Sequence, residues 1–399
     1  MKTPIRVFFE SQIRKVLRIF LALIDPGPRD KVPSGPKRIL LLNGAHLGDI
    51  VISTSLLPVL KSVYPQAEIG FATASWSHAV VRNHPLVTYT HCIDASRLNR
   101  AEASWLKKLL RSWRTRRQAL KEIRSLSYDM AICLHPWRPD FLFLAWQAAI
   151  PQRVAFSRSL WAPLATVVAD YAEDYRLVHQ GECQAQLLRA LGIGDEPLRL
   201  RKASLASSTA SSIAEVADLL GDEIVSQKSY CIIHMGSGAR AKEVPLPFWR
   251  DLAERLSATQ KVLFTGRGER EFAHIAQVSQ GLPNCVNACG KLSWDGFVAA
   301  VRHAAVLFGS DSTASHVAGA VATPCSIMFG GMHNIARWRP EGDNCTIWSN
   351  PVPCHPCGRF YGCATMTCMQ GFVAADVLAM SELTQGEARS APLVNLSHT

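Results

Sequence analysis

Several signatures that would settle the class of this chain at once are missing. There is no aromatic-interleaved basic motif, no zinc-finger spacing and no single-strand-binding signature, so a formal charge of +11 does not direct it to nucleic acid. The apolar stretch near the start is too short and interrupted to span a bilayer, and no small-residue cleavage site follows it in signal-peptide fashion. Charged residues make up only 19% against 48% apolar, which is the balance of a folded globular chain and excludes a disordered one. Cysteine is not scarce, at 12, but most copies stand singly in apolar stretches, as at Cys133, Cys231 and Cys325. That pattern predicts reduced core thiols in a cytosolic protein and excludes a disulfide framework.

What the chain does have is length and alternation. At 399 residues it exceeds what one core usually covers, so two domains are expected. The charge favours anionic partners such as nucleotides, phosphorylated glycans or anionic lipid. Residues 1–37 stand apart as a basic N-terminal extension. Ile13, Val16, Leu17, Phe20, Leu21 and Ile24 form one helical stripe, Arg14, Lys15 and Arg18 fall off it, and Pro26-Gly27-Pro28 ends it. Such a helix either lies in a membrane interface or packs on the protein's own surface. Residues 26–36 read as a linker.

The organising stretch is Ile39 to Tyr64. Ile39, Leu40, Leu41 and Leu42 predict a buried strand stopped by Asn43-Gly44. Val51, Leu56, Leu57, Leu60 and Val63 then predict a helix. The loop between them holds Gly44, Gly48 and Asp49, at the carboxyl edge of a parallel sheet, where α/β proteins bind ligands. Asp49 is either a helix cap or a functional carboxylate. Further strands are expected at Ala67–Thr73, Tyr128–Leu134 and Arg153–Phe156. A helix before the second of these has Leu106, Leu109, Leu110, Trp113 and Leu120 inward. Its outer positions carry Lys107, Lys108, Arg111, Arg114, Arg116, Arg117 and Lys121, a run of like charge that suggests a nearby anion. The Ser/Ala-rich part of residues 195–228 reads as an interdomain helix.

The second half alternates cleanly. Strands are expected at Tyr230–His234, Lys261–Thr265, Val306–Gly309 and Cys325–Phe329, with helices at Pro247–Leu256, Glu269–Gly281, Trp294–Ala304 and Ser312–Ala322. Alternation in both halves predicts an α/β fold of two doubly wound domains facing a cleft, here 38–200 and 225–378, with the active site in that cleft.

Two loops of the second half suit phosphate. Gly236-Ser237-Gly238-Ala239-Arg240-Ala241-Lys242 combines small residues with a cation, although it is neither a Walker loop nor a dinucleotide fingerprint. Gly309-Ser310-Asp311-Ser312-Thr313-Ala314-Ser315-His316 passes from a strand into a helix whose first N–H groups and hydroxyls suit a diphosphate. Asp311 and Ser312 are also ordinary capping residues, and His316 an ordinary core histidine. The cluster Cys354, Cys357, Cys363 and Cys368 reads either as a structural metal site or as reduced thiols or local pairing, the thiol reading being preferred.

Taken in order, these motifs resemble the bacterial heptosyltransferase family, glycosyltransferase family 9, of GT-B architecture. Leu47-Gly48-Asp49 with Ser55-Leu56-Leu57-Pro58-Val59-Leu60, the glycine turn leading to Lys242, Gly290-Lys291-Leu292-Ser293, Asp311 to Ala320, Ala336-Arg337-Trp338 with Pro340, and the late cysteines all correspond over roughly residues 38–378. The resemblance implies an inverting, metal-independent transfer without a cofactor. Asp49 would be the base and Lys242 the cation that holds the diphosphate. Ser237, Gly238, Glu271 (ribose), Leu292 (adenine), Asp311, Ser312, Thr313 and His316 would contact the nucleotide-sugar donor, ADP-heptose or another. The acceptor would be a phosphorylated glycolipid or glycan facing the basic helix, and the protein cytoplasmic, with peripheral contact at the inner membrane. The alternatives are a GT-B-shaped nucleotide-sugar epimerase and a non-catalytic nucleotide-sugar binder. Three positions depart from the pattern: Val244, Gly330-Gly331-Met332 where the family reads G-P-T, and Thr313 where it has glycine. They leave the donor open.

Overall fold

A computed structural model describes residues 19–20, 35–96, 98, 103–135, 139–159, 161–171, 174–385 and 393–395. Apart from residues 19–20 and 35–36, the expected N-terminal helix and linker lie outside the described residues. The chain divides into two compact units, Met1–Lys202 and Ala203–Thr399.

The first unit is built on a six-stranded sheet with every pairing parallel. Its strands are β1 (Arg38–Leu42), β2 (Glu68–Thr73), β3 (Tyr89–Cys92), β4 (Met130–Cys133), β5 (Gln152–Phe156) and β6 (Val167–Ala169), in the spatial order β3-β2-β1-β4-β5-β6. Ile39 to Leu42 are fully buried, because a parallel sheet is covered on both faces and its central strand has no solvent side. After β1 the expected single helix is two, α1 (Leu47–Ser53) and α2 (Leu56–Val63). Pro58 explains the break. It has no N–H to return to the Thr54 carbonyl, which accepts from Leu57 instead at 3.0 Å.

The helix α3 (Trp105–Leu126) corrects one expectation. Leu106, Leu109, Leu110 and Trp113 do not point inward; they are 54%, 44%, 47% and 57% exposed. The helix packs on its unit through Ala119 and Ile123 in its second half, and no residue from Trp105 to Gln118 is buried. Periodicity shows that a stripe exists, not what covers it. The longer helices α4 (Pro139–Gln147) and α5 (Gln180–Ala190) follow, with one-turn helices at Ala79–Arg82 and Asp195–Leu198. Phe141 and Leu144 of α4 and Tyr128 join Leu40, Leu42 and Ile123 in its core.

The second unit opens with α6 (Ala210–Leu220), the Ser/Ala-rich helix, whose Thr209 cap accepts from the Ser212 N–H. A seven-stranded parallel sheet follows, in the order β13-β12-β11-β10-β7-β8-β9. In chain order the elements are β7 (Tyr230–His234), α7 (Leu246–Ser257), β8 (Lys261–Phe264), α8 (Glu269–Ser279), β9 (Cys285–Asn287), α9 (Trp294–His303), β10 (Val306–Ser310), α10 (Thr313–Ala320), β11 (Cys325–Phe329), β12 (Cys345–Ser349), α11 (Ala374–Gln385) and β13 (Leu393–Asn395). Trp249 and Leu252 of α7 pack with Ile233, Phe264 and Phe308 to form the core on one sheet face. Strand order reverses between β7 and β10. In an open α/β sheet such a switch point is where loops diverge and leave a crevice at the carboxyl ends. In the first unit the corresponding switch lies between β1 and β4.

Candidate active site

Asp49 occupies the first unit's switch point, as the third residue of α1. Its Oδ2 accepts from the His46 backbone N–H at 3.3 Å, and the His46 side chain reciprocates in a capping box. The capping role read from sequence is therefore present. The loop beneath it is braced from several sides. Asn43 Nδ2 donates to Ser53 Oγ at 2.8 Å, Gln184 Nε2 of α5 donates to the same oxygen at 2.9 Å, and Trp76 Nε1 donates to the Ala45 carbonyl at 3.0 Å. A half-buried carboxylate held by a tight loop at a sheet edge is geometrically suited to accept a proton from a substrate hydroxyl.

The second unit gathers the polar residues that follow β7 and β10. Lys242 ends the glycine-bearing turn after β7, and Asp311 follows β10 directly. Lys242 Nζ lies 2.7 Å from Asp311 Oδ2, with the two side chains 17% and 6% exposed. The ion pair thus spans the switch point. Asp311 is further fixed by its backbone N–H, which donates to the Met328 carbonyl at 3.1 Å. On the same turn, Ser237 Oγ donates to the Ala239 carbonyl at 2.6 Å, closing the loop that contains Gly238. Ser312 is the N-cap of α10 but makes no side-chain cap bond. Its Oγ and that of Ser310 are buried without a hydrogen-bond partner among the described residues. Buried hydroxyls are ordinarily paired, so two orphans at a helix start beside an ion pair point to a ligand that completes them. Thr313 opens α10 and His316 is buried one turn on.

Glu271, on α8, sits at the carboxyl ends of β7 and β8. It accepts from the Arg267 N–H at 2.8 Å. Gly236 and Gly266 lack side chains for a reason visible here, since a Cβ on either would collide with the Glu271 carboxylate. Burial pushes the Glu271 carboxyl up, and the Arg267 N–H pulls it the other way. The Gly290 N–H donates to the Gly266 carbonyl at 3.0 Å, which places the Gly290–Ser293 turn, with half-buried Leu292 on it, beside the Glu271 loop. Gly290 itself takes a positive φ of 74°, which any other residue would resist.

Two residues without a role in the sequence reading complete the setting. His333, after β11, has its pKa pulled down to about 4, first by burial and then by Lys242 and Arg337, with Asp311 opposing. Its ring is therefore neutral at physiological pH and stands in a locally positive field. Arg337, from the one-turn helix Ile335–Trp338, is buried and stacks on Trp338 with its guanidinium 5.2 Å from the ring centroid. Arg337 belongs to the Ala336-Arg337-Trp338 motif, to which the sequence attached no role, whereas His333 carried no signal but its position; both follow β11, which pairs with β10. His234, at the end of β7, bonds Thr265 Oγ1 through Nδ1 at 2.9 Å, and burial pulls its pKa to about 4.

Among the described residues no group of three His, Cys, Asp or Glu side chains is arranged to hold a metal ion. The Cys357 N–H donates to the Gly331 carbonyl at 2.9 Å, tying the cysteine-bearing loop to the segment after β11.

Comparison with known proteins agrees with this architecture. Residues 116–364 match glycosyltransferase family 9 (heptosyltransferase). A glycosyl transferase family 9 protein from Veillonella parvula DSM 2008 superimposes with a TM-score of 0.73 at 19% identity, over 88% of this chain and 97% of that one. Escherichia coli ADP-heptose lps heptosyltransferase II does so with a TM-score of 0.69 at 17% identity, over 87% of this chain and 98% of that one. These likenesses show the fold, which is that of the GT-B glycosyltransferases. The lipopolysaccharide heptosyltransferase 3 of Escherichia coli is 33% identical over 85 residues, 21% of this chain and 25% of the relative, so the chain matches about a quarter of the length of that curated protein. Since the family match extends over more than half of the sequence, the chain belongs to glycosyltransferase family 9.

Proposed function

We propose that the protein is an inverting, metal-independent glycosyltransferase that moves a sugar, most concretely heptose from ADP-heptose, onto a lipopolysaccharide or related cell-surface glycan acceptor. Asp49 takes the proton of the acceptor hydroxyl. The acceptor oxygen forms its bond to the anomeric carbon as the bond from that carbon to the diphosphate oxygen breaks, and the electron pair leaves with the nucleoside diphosphate. Lys242 neutralises the charge that develops on that leaving group, with Ser312, Thr313 and the N–H groups at the start of α10 around it. Ser237, Gly238, Glu271 and Leu292 line the nucleotide end of the same donor, and Asp311, with His316 one turn on, stands at its diphosphate and sugar. The protein works on the cytoplasmic side of the inner membrane as a peripheral component.

The observation that carries this reading is the Lys242–Asp311 pair at the β7/β10 switch point, with Asp311 buried and Lys242 half-buried, beside the orphaned hydroxyls of Ser310 and Ser312. A fixed cation and unpaired donors at a helix start are what a diphosphate requires. The comparison with heptosyltransferases supports the donor class. The test is release of nucleoside diphosphate from a panel of ADP-, GDP- and UDP-sugars with a lipopolysaccharide acceptor, for wild type and Asp49→Asn. Turnover with one donor that collapses in the variant while that nucleotide still binds is the expected result. Binding without turnover on any acceptor extract would leave a nucleotide-sugar-binding protein and refute the transferase.

A further inference from the structure

The helix α3 carries an unexplained surface. Trp105, Leu106, Leu109, Leu110 and Trp113 are all strongly exposed, Trp105 by 72%, and at 100° per residue they occupy one continuous arc of its first half. The opposite arc and its borders hold Lys107, Lys108, Arg111, Arg114 and Lys121, while Arg116 and Arg117 fall on the apolar side one turn further along. From Trp105 to Lys121 there is no acidic residue. Arg111 pairs with Asp94 at 2.6 Å, and the Arg117 guanidinium lies 5.4 Å from the centroid of the Trp113 ring. An open groove of about 900 Å³ runs along Trp113, Arg114, Arg117, Lys121 and Arg124.

Two large indoles and three leucines that no described residue covers, framed by cations of one sign, make an amphipathic helix without an apolar partner among the described residues. The second half of α3 packs on the unit, so the first half does not rely on burial of this arc to stay in place. A second copy of the chain is a poor occupant, because pairing two such faces would bring like charges together. A bilayer carrying anionic headgroups satisfies both features at once. Leucine and indole side chains enter the headgroup–acyl boundary while Lys and Arg reach the phosphates.

We propose that the exposed apolar arc of α3, with its cationic borders, docks the protein on an anionic lipid bilayer. This deepens the peripheral placement proposed above, but it stands on α3 alone, so its failure and the failure of the transferase reading are separable. The full chain is floated on density gradients with vesicles of phosphatidylglycerol and phosphatidylethanolamine, and with phosphatidylcholine alone. Wild type is expected to rise with the anionic vesicles and stay behind with the neutral ones. The triple variant Lys107→Gln/Lys108→Gln/Arg114→Gln is expected to lose on the order of a hundredfold in partitioning. Leu106→Ser/Leu110→Ser/Trp113→Ser should lose about tenfold or more. Nucleotide binding and thermal unfolding should stay at wild-type levels in both. Equal binding to neutral vesicles, or wild-type partitioning by both variants, would overturn the proposal. So would loss of turnover by these variants on a delipidated, water-soluble acceptor, which would make α3 part of the acceptor site instead.

Discussion

Lys242 Nζ lies 2.7 Å from Asp311 Oδ2, joining the loops that leave two neighbouring strands at the point where strand order reverses. Both side chains are largely withdrawn from water, so each charge gains much of its stabilisation from the other. If a diphosphate binds here as proposed, the pair presets the ammonium for it and the ligand then shares that ammonium with Asp311.

Lys242→Met should therefore harm the fold as well as the site. It strands the Asp311 carboxylate, and loss of one member of a buried pair costs about 3–5 kcal/mol. Lys242→Met/Asp311→Asn should recover most of that stability but none of the affinity for ADP. Urea unfolding and calorimetric titration on the three proteins separate the two effects. A single variant as stable as wild type would show that the pair is not coupled in solution.

The neutral histidines give the second prediction. His234 and His333 both have folded pKa values near 4, below the ordinary value of 6.5, so the unfolded chain binds more protons between these limits. Stability must then fall as pH drops from about 6.5 towards 4. The His234 ring contributes a slope of up to ~1.4 kcal/mol per pH unit, and His333 acts with the same sign. His234→Gln should flatten the acid limb of urea midpoints measured against pH. ADP should also act on His333 specifically. If its phosphates bind beside Lys242 as proposed, they offset the field of Lys242 and Arg337, so the His333 ring titration followed by NMR should move upward on adding ADP and stay put on adding adenosine.

The sequence disclosed most of the scaffold and pointed to the two loops that meet at the β7/β10 switch point, for a physical reason. Central parallel strands such as Tyr230–His234 and Cys325–Phe329 are buried on both faces, so their apolar runs coincide with the observed strands, and the turn residues that end them mark the site edge. The strands towards the sheet edges were not legible. Tyr89–Cys92, Val167–Ala169 and Cys285–Asn287 are only three or four residues long, too short to show a pattern, and gain their extended form from a neighbour. His333 escaped notice because it sits where the family pattern is broken, next to Gly331-Met332. The direction of the α3 stripe was unreadable, since the same periodicity serves a core and a lipid surface.

Ser310 offers a test in which stability and binding move apart. Its hydroxyl is fully buried and has no hydrogen-bond partner among the described residues. Ser310→Ala should leave unfolding unchanged or raise stability by about 1 kcal/mol, because an unpaired buried hydroxyl costs free energy. If the hydroxyl serves the donor, ADP affinity should fall about fivefold, the equivalent of one ordinary hydrogen bond. Thermal melts and titration of the same preparation decide it, and unaltered affinity would remove Ser310 from the site.

Asp49 holds two roles in one side chain, and two substitutions can divide them. Asp49→Asn keeps a carbonyl oxygen for the His46 N–H and so keeps the cap at the start of α1, but it cannot take a proton. Asp49→Ala removes both, and loss of a cap costs about 0.5–2 kcal/mol. If Asp49 is the base, the two variants should lose the same 10²- to 10⁴-fold in kcat, on the scale of general-base catalysis, although only Asp49→Ala melts lower. KM for the donor should hold in both, because Asp49 and the donor residues proposed above lie in different units of the chain. A variant Asp49→Asn that retains wild-type kcat would leave Asp49 as a cap alone, and the base would then have to be sought among the other carboxylates and histidines of the first unit.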